Sequence, residues 1–201
     1  MKSLKPKKPK AVPSNKPGIR THKDLTRAGI HPETISRLID HKLLVPVSRG
    51  VYMTPGTAIT EHHDVAIASA RIPHGTICLL SALRFHGMTT QVPREVWIAI
   101  GNRAASSRLA TPPLRVIRLT GQSLSTGVEK HTMEGVVVKI YSPAKTVADC
   151  FKFRNRIGLD IAIEALKDFL QMKKGTIDDL WRFAKIDRVA KVIQPYLEAS
   201  V

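Results

Sequence analysis

The stretch "THKDLTRAGIHPETISRLIDHKLLVPVSRGVYMT", residues 21–54, carries the signals that decide the fold. Thr21 is placed to cap a short helix with Leu25 and Ala28 inward, and Gly29 supplies the left-handed backbone that suits its end. Pro32 then stands at the first position of a second helix, where a missing N–H costs nothing. Ile35, Leu38, Ile39 and Lys42/Leu43 follow helical spacing, which turns Glu33, Thr34, Arg37 and His41 outward. Beyond it, "LVPVS" and "GVYMT" are short β-type runs joined at Arg49-Gly50, where the glycine permits a tight turn. Helix, tight turn, helix and hairpin is the order of a winged helix-turn-helix, whose second helix enters the DNA major groove. A complete motif has a further helix before "THKDL", and here a Lys/Pro arm stands in that place.

The charge agrees with a polyanionic partner. The 201 residues hold 32 Lys and Arg against 16 Asp and Glu, a formal +16, so nucleic acid is the first partner to test. Residues 1–17 carry six Lys and no acid, residues 18–59 have a net +3, and residues 60–201 a net +7. The folded part is therefore basic in its own right. Residues 1–17 lack large apolar side chains almost entirely, a composition that cannot repay the entropy of folding, and read as a disordered basic arm.

With 43% hydrophobic against 24% charged residues, the remainder is expected to fold around a real core. Cys78 and Cys150 lie in no CxxC or Cys/His spacing and read as buried thiols in a reducing cytosol. The N-terminus has charge without the apolar core of a secretory signal, and no run is long enough to cross a membrane. The expectation is a cytoplasmic protein with no cofactor and no membrane partner.

After residue 58 the pattern is mixed. "TEHHDVAIASARIP" reads as a helix capped by Thr60 and ending at Pro73, and "TICLLSALRFHGM" as a helix from about residue 76 to His86, stopped by Gly87. "REVWIAIG", "PPLRVIRLT" and "GVVVKIYS" read as strands of a covered sheet, with a short strand near Val128–Thr132 in the loop between the last two. "SPAKTVADCFKFR" has Ser142 as cap and Pro143 first in its helix, and "LDIAIEALKDFLQMKKG", "TIDDLWRFAKI" and "RVAKVIQPYLEA" close the chain as helices. The fold class is α+β: a basic arm at 1–17, a winged helix-turn-helix at 18–58, and at 59–201 a mixed α/β domain with a small sheet and a helical C-terminal region.

Two stretches carry a family resemblance, "LLSALRFHGMTTQVPREVWIAI" at 79–100 and "VVVKIYSPAKTVADCF" at 136–151, following a "RGVY" wing at Arg49–Tyr52. In order and spacing the chain from about 18 to 190 resembles the AbiEi-type antitoxins. It departs from them in lacking an obvious first helix and in stopping soon after "IQPYLEA". The resemblance implies an antitoxin and transcriptional autoregulator of a two-gene system, also known for abortive phage infection. Its winged helix would bind inverted repeats in double-stranded DNA at the operon's own promoter. Its C-terminal domain would counter a nucleotidyltransferase-like toxin, which the best-known members do so without a stable complex.

For DNA contact the candidates are Thr34, Ser36 and Arg37 on the second helix with His31 at its start, Thr21, His22 and Lys23 at the start of the first, and Arg49 at the hairpin tip. Arg can pair two donors with guanine, whereas hydroxyls and helix starts mostly hold phosphate. The competing reading is a solvated helix face and an ordinary turn. Arg84, Arg94, Arg103, Arg108, Arg115 and Arg118 could widen the footprint, and are equally read as solvated side chains. Catalytic and metal patterns are thin. "SPAK" fits S-x-x-K, yet a helix cap explains Ser142 better. In "EHHD" the neighbouring His62 and His63 diverge by about 100° on a helix, unlike a metal-binding pair. His86 reads as a C-terminal helix residue. No enzyme is expected. A DNA-binding regulator of a mobile element without a toxin, and a nucleic-acid enzyme, remain the alternative classes.

Overall fold

A computed structural model describes residues 17–104 and 111–200. Residues 1–16 of the arm at 1–17, and Arg108, lie outside these residues. The first unit runs β1 (Ile19–Thr21), α1 (His22–Arg27), α2 (Pro32–Asp40), β2 (Val45–Ser48) and β3 (Val51–Met53). Its three strands form an antiparallel sheet in the order β1-β3-β2, with Ile19 opposite Met53 and Thr21 opposite Val51. The hairpin is thus present as expected from the sequence, and β1 is an addition to it. Ala28, expected inward, is exposed, because α1 ends at Arg27 and Ala28 is already its C-cap. Lys42 and Leu43 are likewise exposed, since α2 stops at Asp40 and Lys42 takes a left-handed turn with φ 55°.

The chain continues through α3 (His63–Arg71), β4 (Thr76–Ile77), α4 (Leu79–His86), β5 (Val96–Gly101), β6 (Leu114–Leu119), α5 (Gly121–Ser125), β7 (Val128–Met133) and β8 (Val136–Tyr141). It ends in α6 (Pro143–Lys152), α7 (Arg154–Ile157), α8 (Leu159–Gln171), α9 (Ile177–Ile186) and α10 (Ala190–Glu198). Five strands form a mixed sheet ordered β6-β5-β4-β8-β7. Residues 76–77, expected to open a helix, instead pair with β5 and β8. A short apolar run reads equally as strand or helix, and here the pairing decides.

Alternation along the strands splits the core in two. Trp97, Ala99, Ile117, Leu119 and Tyr141 face α4, α6, α8, α9 and α10. Val96, Ile98, Ile100, Val138 and Ile140 face the other way, onto Ala66, Ile67, Ala68 and Ile72 of α3 and onto Ile19 and Val51 of the small sheet. The five-stranded sheet is therefore covered on both faces, which explains its nearly continuous apolar runs. On that second face α3 packs against β1, β3 and β8, so the small sheet is backed by a helix that follows it in the chain.

The turn between β7 and β8 fastens the first unit to the sheet. Ile19 N–H donates to the Glu134 backbone oxygen at 2.7 Å. The buried Glu134 carboxylate accepts from Thr60 N–H and Oγ, both at 2.9 Å, and pairs with His63 Nδ1 at 2.6 Å. These hydrogen bonds to Thr60 and His63 outweigh the upward push of burial and hold the Glu134 carboxyl below its ordinary value. Thr60, expected to cap α3, is spent on this contact, and the helix starts three residues after it, at His63, with His62 as its N-cap.

Behind the sheet lies a buried ionic group. Lys145 Nζ contacts Asp149 Oδ1 at 2.5 Å and Asp187 Oδ2 at 3.0 Å, with all three side chains essentially inaccessible. Lys152 Nζ reaches Asp187 Oδ1 at 3.1 Å and Ser123 Oγ at 3.1 Å. Burial pushes the Asp149 carboxyl up to about 7. Asp187 also feels an upward push from burial, but Lys145, Ser123 and Lys152 hold it below its ordinary value.

Candidate nucleic-acid interface

Local chemistry builds the surface around α2. Thr21 and Asp24 close a capping box over α1: Asp24 N–H donates to Thr21 Oγ at 3.1 Å, and Thr21 N–H and Oγ–H both donate to Asp24 Oδ2, at 3.0 and 2.6 Å. Gly29 (φ 81°) then lets the chain reverse where a side chain would be strained. Ile30 N–H returns to the Leu25 carbonyl at 3.0 Å. Pro32 opens α2 with His31 as its N-cap. Leu25, Ile30, Ile35, Leu38 and Leu44 form a separate small core, with Ile39 and Tyr52 packed against it. That core fixes the angle between α1 and α2 and with it the direction of the outward face.

Of the residues singled out from the sequence, His31, Ser36 and Arg37 are exposed on or beside α2 and Thr34 is half-buried. His22 and Lys23 are exposed at the start of α1. Thr21 differs from its expected role, since its hydroxyl is engaged within the capping box. Arg49 is exposed in the β2–β3 turn next to Gly50 (φ 70°). His22 N–H donates to the Gly50 carbonyl at 2.8 Å, and the Arg71 guanidinium donates to the Arg49 carbonyl. The start of α1, the hairpin turn and the end of α3 are thus joined. Among the described residues no ion pair engages Lys23, Arg27, Arg37 or Arg49. An exposed helix face bearing Ser36 and Arg37, flanked by an Arg-tipped hairpin, can offer hydrogen-bond donors to base edges and phosphates.

The other candidates are placed elsewhere. Arg84 reaches Glu61 at 3.5 Å, and Arg115 pairs with Glu95 at 2.9 Å above the Trp97 ring. Arg118 donates to the carbonyls of Gly101, Asn102 and Ala104. Arg94 and Arg103 are exposed. Ser142 Oγ accepts from Lys145 N–H at 3.4 Å as the cap of α6, while Lys145 Nζ faces two carboxylates, so no Ser–Lys pair forms. His63 turns to Glu134 and His62 to the Phe85 ring at 5.1 Å. His86 Nε2 bonds the Tyr141 carbonyl at 2.8 Å, and burial lowers its imidazole below the ordinary value. Among the described residues no cluster of three His, Cys, Asp or Glu could hold a metal ion, and no helix is long and apolar enough to cross a membrane.

Arg20, Arg27 and Arg71 also stand on or beside α1 and were not singled out from the sequence. Arg27 had a signal, since it lies one turn after Lys23 on the same helix face. Arg71 had none, because it comes from a helix outside the first unit.

Residues 14–55 match the family described as transcriptional regulator, AbiEi antitoxin. No curated protein matches the chain. The crystal structure of the RV2827C protein from Mycobacterium tuberculosis is similar, with a TM-score of 0.58 at 14% identity over 92% of this chain and 77% of that one. The likeness is one of fold.

Proposed function

We propose that the chain is a DNA-binding antitoxin that represses its own operon. In this reading residues 18–58 are a winged helix-turn-helix, α2 lies in the major groove of an operator with inverted repeats, and residues 59–201 counter a nucleotidyltransferase-like toxin encoded beside it. The carrying observation is a coincidence of position: the match to a family of antitoxin transcriptional regulators at 14–55 falls on the segment that builds the exposed α2 face and the Arg49 hairpin. Arg37, with Thr34, Ser36 and His31 around it, is the base-reading group. His22, Lys23 and Arg49 meet the backbone, and Thr21 fixes the helix start from which they extend. The protein acts in the cytoplasm by binding rather than catalysis, and phage defence follows when the toxin is no longer countered.

The test is a fluorescence-polarisation titration of the duplex upstream of the gene. Arg37→Ala is expected to weaken binding by about 1–3 kcal/mol and to relax sequence preference. Arg49→Ala should weaken operator and scrambled duplex alike and reduce the slope of log K against log salt by about 1. Unchanged affinity in both variants contradicts the assignment. Rescue of growth when the chain is co-expressed with the adjacent toxin tests the antitoxin half.

A further inference from the structure

A groove of about 960 Å³ opens between α1 on one side and the end of α3 with the β7–β8 turn on the other. The ionisable side chains on it are Arg20, His22, Lys23, Asp24, Arg27 and Arg71. Its single carboxylate, Asp24, is engaged by Thr21 in the capping box. Four cations therefore face one committed acid. We propose that this groove is a second track for the phosphate backbone of the duplex that α2 reads, an inference that rests on the DNA-binding reading of α2.

Three observations carry it. Lys23 and Arg27 stand one turn apart on α1, a like-charge pair that is unfavourable on an isolated helix, and the Asp24 carboxylate between them is held by the Thr21 N–H and hydroxyl. Neither cation makes an ion pair with another described residue. The groove is also continuous with the wing: Arg71 holds the Arg49 carbonyl, and His22 N–H holds Gly50. Basic charge thus predominates from the wing tip along α1, with Asp24 the one acid on the groove. The opposite wall is uncharged at Gly135, Val136 and Val137, with Val137 60% exposed. A concave wall with four cations against one acid focuses its field on a polyanion, and a duplex presents a phosphate charge every ~1.7 Å along its axis. The track would carry no base recognition, because phosphate contacts set register and affinity without reading sequence.

The test is a salt series of polarisation titrations on the upstream duplex and on a scrambled duplex of equal length. Arg27→Gln removes one groove cation, and its slope of log K against log salt is expected to be shallower by about 0.9, the value for one phosphate. Its ratio of operator to scrambled affinity should stay at the wild-type value. Val137→Glu introduces an anion from the opposite wall and should weaken both duplexes several-fold, while Val137→Gln binds as wild type does. Both positions are exposed, and thermal melts check that each variant folds. Wild-type slope and affinity in both Arg27→Gln and Val137→Glu overturn the track, whereas the reading of α2 survives if Arg37→Ala still loses discrimination. A wild-type chain that binds neither duplex overturns both.

Discussion

Replacing Lys145 with methionine is expected to destabilise the fold by about 3–5 kcal/mol, the cost of leaving buried charge without its partner. Lys145 is the one cation between Asp149 and Asp187, at 2.5 and 3.0 Å, with no solvent access to any of the three. Its removal leaves two carboxylates near one another and only Lys152 beside Asp187. Since whole domains are stable by only ~5–15 kcal/mol, the variant should show a much lower urea midpoint. An apolar side chain of similar length keeps the packing, so the loss reports on charge.

The same substitution should change how stability responds to pH. In the wild type, Asp149 titrates near 7 in the fold against an ordinary value of 3.8. The native state then binds the extra proton between those limits, and stability falls as pH rises through the window and levels off above about 7. Without Lys145 both carboxylates lose the attraction that favours their charged forms, so both move upward. Lys145→Met should therefore recover stability on acidification from about pH 8 to pH 5 more steeply than the wild type. Urea melts at the two pH values check this, and parallel behaviour of variant and wild type would contradict the account of the buried group.

Leu38→Ala is expected to cost about 2–5 kcal/mol, from lost transfer energy and the cavity left behind. Leu38 is fully buried at the centre of the small core that joins α1, α2 and the hairpin. With only five buried residues in that core, neighbours have little freedom to collapse into the space. The prime effect on DNA would be indirect, because α2 would no longer hold Ser36 and Arg37 at a fixed angle to the wing. Urea unfolding followed by circular dichroism measures the cost, and a loss under about 1 kcal/mol would mean that this core does not set the position of α2.

Much of the first unit was legible because punctuation marks it: the Thr21 cap, Gly29, Pro32 and Gly50 each fix a boundary by local chemistry. Three of the longer strands were legible from β-branched and aromatic runs such as "VWIAI" and "VVVKIY". β1 was not, since three residues cannot display alternation and its strand character comes from pairing with Val51–Met53 some thirty positions later. β4 was hidden in an apolar run that reads equally as helix. Thr60 looked like a cap, but a buried carboxylate 74 residues away claims both its donors. In the candidate interface the exposed α2 side chains followed from helical spacing, whereas the groove did not, because it needs α3 and the β7–β8 turn brought beside α1. The buried ionic group left a trace that went unread: Lys145 and Asp149 are four apart on a helix whose other faces are apolar, and such a pair must find its balance inside the protein.

The central claim, that α2 reads the operator of the chain's own gene, is tested most directly by nuclease footprinting on the upstream region with wild type and Arg37→Ala side by side. The account expects wild-type protection confined to inverted repeats before the gene, and loss or spreading of that protection in the variant. Protection indifferent to sequence in the wild type, or an identical footprint from Arg37→Ala, would contradict it.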